Sequence, residues 1–363
     1  MQGRIWSHTQ YRRALTGAAW ATLLALAACQ TAQPLRGGAP RPADGTAPLI
    51  PLDPPDSLPC KLDVVADLPL QEANHHLLVD VLINEKPARM ILDTGAETTI
   101  LSPDAAKRLS LDREGPFGTV LGIGGERKAL RFQADSIRLG TLHGSTWNFV
   151  VADVVSGYSD PKPDGLLGAD IFRTYDIDLN LPAGRLRAFY PEHDCSRPSV
   201  YLTGPTHSVD LEATTFPNYP TSFATLSMLR LHVKVGGQPL VAEIDTGAPH
   251  NIVFLTGLAK LKYTASDVKS DKRVYTIGIG PDAVRSLRHV LPELSIGDLE
   301  MRNVPVNLVN TTLGPTGPDI IIGLNLIKQL HIWISHSSDD VIFQYPPLAS
   351  PPLPEESPVP GKT

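Results

Sequence analysis

The sequence predicts an all-β chain made of two pseudo-symmetric copies of one β-rich unit, and three recurrences carry that expectation. Residues Leu78 to Ala96 align with Arg230 to Ala248 at a constant offset of 152. Further on, Leu121-Gly122-Ile123-Gly124-Gly125 aligns with Ile277-Gly278-Ile279-Gly280-Pro281 at an offset of 156. Asp164 to Phe172 then aligns with Asp319 to Ile327 at an offset of 155, which holds to Tyr190-Pro191 and Tyr345-Pro346. Three landmarks in one order, drifting by only a few residues, are the signature of an internal duplication.

The first landmark reads as a β-hairpin in each copy. Alternating apolar residues lead to a turn, Asn84-Glu85 or Gly236-Gly237, and a second apolar strand runs into Asp-Thr-Gly-Ala. The second landmark is a glycine-rich hairpin tip. The third is an apolar-apolar-Gly motif followed in each copy by one short helix and a closing hairpin. Strands rich in Val, Ile, Leu and Thr fill the rest. The expected lobes are residues 60–197 and 198–346, the second opening with a connecting stretch from Pro198 to Pro220.

With 363 residues the chain is long enough for two domains. A formal net charge of −6 leaves no global basic field, so nucleic acid is not an expected partner. The 34 prolines exceed ordinary usage, and 15 of them lie outside the repeat. Eight fall between Gln30 and Pro59 and seven between Pro346 and Thr363, which predicts a tether over 29–59 and a dangling tail over 347–363. Residues 1–28 carry Arg4, Arg12 and Arg13 ahead of a short apolar run, an export signal rather than a lasting membrane span. Its end, Leu26-Ala27-Ala28-Cys29, resembles a bacterial lipobox. That resemblance implies lipidation of Cys29, membrane attachment through the lipid and a periplasm-facing place in the bacterial envelope, with Gln30 favouring the outer membrane. The alternative is an ordinary cleavage site with a chance cysteine. Cys60 and Cys195 bracket the first copy, and in an oxidising compartment they predict a disulfide. Closing that loop would contribute about 4–5 kcal/mol. Two buried free thiols are the other possibility.

A single Asp-Thr-Gly is no more than a turn after a strand. Its recurrence in two equivalent contexts points to paired carboxylates. Asp93-Thr94-Gly95-Ala96-Glu97-Thr98-Thr99-Ile100-Leu101 resembles the active-site loop of the retropepsin-like aspartic peptidases, and Val120 to Gly125 resembles their flap tip. The resemblance covers nearly all of residues 60–346. It implies two pepsin-like or retropepsin-like β-barrel lobes fused in one chain, and a monomer, since both aspartates are present. It implies a polypeptide substrate, an aspartic endopeptidase activity, and no cofactor or metal.

If the lobes pack about a pseudo-twofold axis, Asp93 and Asp245 face each other at roughly 3 Å and share one proton. The ionised member then activates water, and the protonated one polarises the peptide carbonyl. By resemblance, Thr94 and Thr246 hydrogen-bond across the lobes. Gly95 and Gly247 are expected to let the backbone turn tightly beneath the carboxylates. Leu166-Leu167-Gly168 and Ile321-Ile322-Gly323 would thread below the loops as supports. Ala96 and Ala248 stand where pepsin-like enzymes place a hydroxyl, so the dyad is expected to titrate higher than theirs. Gly122, Ile123, Gly124 and Gly125 form the better flap candidate; Gly278, Ile279 and Gly280 read equally as a plain turn, because Pro281 removes a donor. Pro249 and His250 depart from the family pattern: a loop distorted by Pro249 would weaken catalysis, and His250 pairs with a carboxylate, lines the cleft or, as is commoner for such a histidine, is merely partly buried. His75-His76 is a poor chelate on a strand, and no HExxH, GxGxxG, Walker or GxSxG pattern occurs. The alternative to an enzyme is a peptide-binding envelope lipoprotein that keeps the fold, and a third possibility is self-processing of the tether.

Overall fold

The computed structural model describes residues 62–155, 158, 162–172, 175–190, 202, 204–212, 228–336 and 339–345. Residues 1–28, the tether at 29–59, Cys29, Cys60, Cys195 and the tail at 347–363 lie outside the described residues.

The first half contains β1 (Val64–Pro69), β2 (Gln71–Ala73), β3 (His76–Ile83), β4 (Lys86–Leu92), β5 (Ile100–Leu101), β6 (Asp112–Gly122), β7 (Gly125–Leu139), β8 (Leu142–Val151), β9 (Gly165–Leu167), β10 (Asp176–Asn180) and β11 (Arg185–Phe189). The second contains β12 (Thr206–Asp210), β13 (Arg230–Val235), β14 (Gln238–Asp245), β15 (Asn251–Val253), β16 (Lys272–Thr276), β17 (Val284–Ile296), β18 (Leu299–Val309), β19 (Ile320–Gly323), β20 (His331–Ser335) and β21 (Asp340–Gln344).

The opening hairpins form because their turns are built for it. Asn84, Glu85, Gly236 and Gly237 all have positive φ, the conformation that matches the right-handed twist of two flanking strands. Each half then closes on itself. In the first lobe the strand order is β2-β3-β4-β9-β5-β8-β7-β6 with β3 also pairing β7; in the second it is β13-β14-β19-β15-β18-β17-β16 with β13 also pairing β17. The repeat seen in the sequence is thus a repeat of topology, an all-β fold in two lobes.

Helices α1 (Pro103–Arg108), α2 (Leu255–Leu261) and α3 (Leu324–Ile327), and a 3-10 turn over Ala169–Ile171, complete the lobes. The helix expected after each apolar-apolar-Gly motif is present as the 3-10 turn and as α3. A second helix per lobe, α1 or α2, corrects the expectation of one. The stretch expected to be a mere connection contains β12, which pairs β21.

A third sheet joins the halves in the order β1-β11-β10-β20-β21-β12. At its centre β10 and β20 run antiparallel with Asp178 opposite Trp333, residues that are 155 apart and so equivalent in the repeat. The pseudo-twofold axis passes through that pair. Trp333 is fully buried there, stacked at 5.1 Å between ring centres on Phe189. The largest apolar core runs through both lobes and this sheet.

Candidate active site

Each Asp-Thr-Gly loop leaves the end of a strand that is fixed by a parallel neighbour. β4 pairs in parallel with β9, and β14 with β19, so the apolar-apolar-Gly segments run directly beneath the loops. Asp93 N–H donates to Leu167 O at 3.0 Å, and Ala169 N–H to Ala96 O at 2.9 Å. In the second lobe Leu324 N–H donates to Ala248 O at 2.7 Å.

Side chains to which the sequence alone assigns no role brace these loops further. Thr99 Oγ1 donates to Asp170 Oδ1 at 2.7 Å and accepts from Gly168 N at 3.1 Å. Asn251, its equivalent, accepts from Gly323 N at 2.8 Å through Oδ1, while Asn325 Oδ1 accepts from Asn251 N at 3.1 Å. Asp170 and Asn325 both lie inside the third repeated landmark, which was the available signal.

The two loops are locked to each other across the axis. Thr94 N–H donates to Thr246 Oγ1 at 3.0 Å, and Thr246 Oγ1 donates to Leu92 O at 2.7 Å. Reciprocally, Thr246 N–H donates to Thr94 Oγ1 at 3.0 Å, and Thr94 Oγ1 donates to Ile244 O at 2.8 Å. Both threonines are buried, so none of these four bonds competes with bulk water.

That lock brings the carboxyl groups of Asp93 and Asp245 into direct hydrogen bonding. Each glycine backs the carboxylate of the opposite lobe: a Cβ on Gly95 would lie 2.6 Å from Asp245 Oδ2, and one on Gly247 would lie 2.7 Å from Asp93 Oδ2. Neither glycine has positive φ; what the absence of a side chain allows is the close approach of the opposite carboxylate.

The pair is not symmetric in its donors. Asp93 Oδ1 accepts one nearby N–H, from Gly95 at 3.0 Å. Asp245 Oδ1 accepts two, from Gly247 at 2.7 Å and Ala248 at 3.0 Å. Burial pushes the Asp93 carboxyl well above the ordinary range, and the Asp245 charge adds to it. Burial also raises Asp245, but its two backbone donors pull it back. Pro249 leaves the second loop intact, since Ala248 N–H still reaches the carboxylate. His250 is exposed, held below its ordinary value by burial of part of its ring, with Arg288 and His75 adding to the effect.

The glycine-rich hairpins β6–β7 and β16–β17 meet tip to tip. Gly124 N–H donates to Ile279 O at 2.9 Å, Asp282 N–H to Gly124 O at 3.1 Å, and Arg127 Nη2 to Gly280 O at 3.1 Å. The tips also cross: Ile279 packs on the first lobe's apolar cluster with Leu78, Ile91 and Val120, and Ile123 packs on the second lobe's cluster with Ala248 and Ile321. Gly278 and Ile279 are therefore as much part of the cover as Gly122 and Ile123.

Two residues beside the dyad were not read from the sequence as part of a site. Tyr158 packs against His76 at 4.9 Å between ring centres, and its hydroxyl is driven up by burial and by the charges of Asp93 and Asp245. Burial lowers His76 to about 4, with His75 adding to the effect, so its ring is neutral above that pH. Among the described residues no group of three or more His, Cys, Asp or Glu is placed to hold a metal.

Comparison with known proteins gives this constellation its class. The family described as Aspartyl protease matches residues 79–171 and 231–326, one match on each lobe and more than half of the chain together. The chain belongs to that family. It is also similar to DNA damage-inducible protein 1 from two strains of the fungus Cryptococcus neoformans, at 29% identity over 127 residues. That stretch is 32% of this chain and 28% of the relative's length. Among solved structures, the aspartic proteinase from Irpex lacteus superposes with a TM-score of 0.48 and 15% identity, over 77% of this chain and 96% of the other.

Proposed function

We propose that the chain is an aspartic endopeptidase, hydrolysing peptide bonds with a water activated between Asp93 and Asp245. The observation that carries the reading is the hydrogen-bonded carboxyl pair held by reciprocal threonine bonds. Two carboxylates this close cannot both ionise, so one acid and one base stand ready in the same place.

The unequal donors support an assignment of roles. Asp245, with two backbone N–H groups on its carboxylate, is the ionised base that takes a proton from water. Asp93 is the acid that donates to the carbonyl oxygen of the scissile bond. Proton delivery to the leaving nitrogen returns the pair to its starting state. Proton exchange within the dyad makes the observed titrations properties of the pair. The joined hairpins would open to admit an extended peptide and close to exclude water.

Lipidation at Cys29, export by residues 1–28 and attachment to the periplasmic side of a bacterial envelope membrane complete the proposal. Its substrates are then polypeptides within reach of that surface. Incubation of the full chain with a peptide library at pH 4 to 7, beside Asp93→Asn and Asp245→Asn, tests the catalytic assignment. Each substitution is expected to lower kcat/KM by about 10²–10⁴-fold. Equal cleavage by the wild type and either variant overturns it. Metabolic labelling with a palmitate analogue, lost in Cys29→Ser, checks the anchor.

A further inference from the structure

The internal duplication supplies a control for every position, and at one pair of positions the two lobes differ in kind. In the first lobe the cross-strand pair Leu78 and Ile91 is apolar. Their equivalents in the second lobe, in the same register, are Arg230 and Glu243. The guanidinium Nε donates to Glu243 Oε2 at 3.1 Å and Nη1 donates to Thr316 O at 2.7 Å. Both side chains are nearly fully buried, at 6% and 1% exposure.

Stability does not account for this pair. Removing two charges from water costs several kcal/mol per ion, and apolar residues of similar volume serve such positions as well or better. The first lobe fills the equivalent positions with leucine and isoleucine.

The place of the pair suggests its use. Side chains two apart on a strand share a face, so Glu243 points to the same side of β14 as Asp245; Ile91 is the equivalent on β4, two residues before Asp93. On the first lobe that face lies under the joined hairpins, where Ile91 packs with Val120, Ala129 and Ile279 of the opposite tip. Glu243 lies close enough to act electrostatically on both members of the dyad. Glu97, exposed on the first loop, lies within electrostatic range of Arg230. Carboxyl groups outnumber cations here: Glu243, Glu97 and the dyad all lie within electrostatic range, and Arg230 is the cation that acts on Glu243 and Glu97. Of the other nearby arginines, Arg127 is turned to Gly280 O, and Arg288 Nε donates to Asn307 Oδ1 at 2.8 Å.

We propose that Arg230 and Glu243 form a charged subsite on one side of the scissile bond, selecting peptides with a lysine or arginine there and a large apolar residue on the other side. This rests on the protease reading and names its substrate class. An incoming ammonium would pair with Glu243 while Arg230 keeps its hydrogen bond to Thr316 O and the electrostatic attraction of Glu97. Burial pushes Glu243 up to about 8, opposed by Arg230 and reinforced by Asp245 and Glu97, and an ammonium arriving beside it would favour the charged form.

The test compares peptides that differ only by lysine, norleucine or glutamate at each position around the cleavage point, using the full chain. Cleavage is read as a ratio of kcat/KM, and binding of uncleavable statine-type versions is read by fluorescence anisotropy. The wild type is expected to prefer lysine over norleucine at one position by about 10–100-fold. Arg230→Leu with Glu243→Ile, which copies the first lobe, should reverse that ratio toward norleucine, its folding checked by thermal melting. Glu243→Gln keeps the volume, frees the guanidinium and should shift the preference toward glutamate. Wild-type preference for norleucine or glutamate at every position, or ratios unchanged in both variants, overturns the subsite. Lysine-selective binding without any turnover upholds the subsite and overturns the protease reading instead.

Discussion

At the scale of single residues, the four threonine bonds are the mechanical basis of the site, because they set the separation of the two carboxyl groups. Removing the hydroxyl of Thr94 strands Thr246 N–H and Ile244 O in a buried place. Thr94→Ala should therefore cost about 2 kcal/mol on denaturant unfolding. It should also lower kcat more than it raises KM, while Thr94→Ser restores most of both. A variant as stable as the wild type with unchanged kcat would mean the lock has no role. What was legible at this scale was the symmetric part: Asp93, Asp245, the threonines and the glycines recur, and recurrence is what an eye on one sequence can detect. Arg230 and Glu243 escaped for the opposite reason. An alignment of the two copies counts them as mismatches, and only the register of β13 on β14 turns those mismatches into a cross-strand pair. Tyr158 lies in a loop with no periodic pattern, so nothing in the sequence tied it to the dyad.

At the scale of elements, the two hairpin tips act as one cover because their backbones bond across the axis. Gly280 has φ of +125°, and its Cα faces the Gly124–Gly125 peptide of the opposite tip so closely that a methyl group would overlap it. Gly280→Ala should therefore part the tips and raise KM several-fold, with limited proteolysis in the hairpin accelerated. Unchanged KM would show that the tips do not act together. In the sequence Pro281 weighs against this second hairpin, since proline lacks an N–H. The structure sidesteps the loss by using the Asp282 N–H and the Ile279 carbonyl. The outer helices α1 and α2 were missed because six or seven residues are too few to show a 3.6-residue period. The one local sign was Ser102 before Pro103, where the serine side chain accepts from Ala105 N at 3.1 Å as an N-cap.

At the scale of the whole molecule, buried titratable groups make stability depend on pH from both directions. His76 and His336 are both lowered to about 4 by burial, so each binds its proton less readily folded than unfolded. The stability they contribute is lost as pH falls from about 6.5 toward 4. Glu243, raised from 4.5 to about 8, has the opposite sign: its contribution is whole below its unfolded value and is lost as pH rises through 8. Denaturation midpoints should thus be highest in the mildly acidic range. In Glu243→Gln the decline between about pH 6.5 and 8 should flatten, and a decline of undiminished slope would remove Glu243 from the account. Activity should peak in the same range, because burial raises both members of the dyad and no hydroxyl at Ala96 or Ala248 opposes it. A pH–rate maximum near 2 would contradict this. The shared central sheet was the least legible feature at this scale. Pairing of β10 with β20 joins residues as far apart as Ile177 and Ile334, and no local pattern announces so distant a partner.

Inequality between the halves also bears on how a ligand lies in the groove. In a groove with true twofold symmetry an extended peptide fits equally well read from its amino end or its carboxyl end. Here one bank offers Asp93 with a single amide donor and an apolar wall, while the other offers Asp245 with two and a buried ion pair. Reversing the peptide would swap every contact for a different one, so the molecule senses chain polarity, and a retro-sequence peptide should be a measurably poorer ligand than its parent.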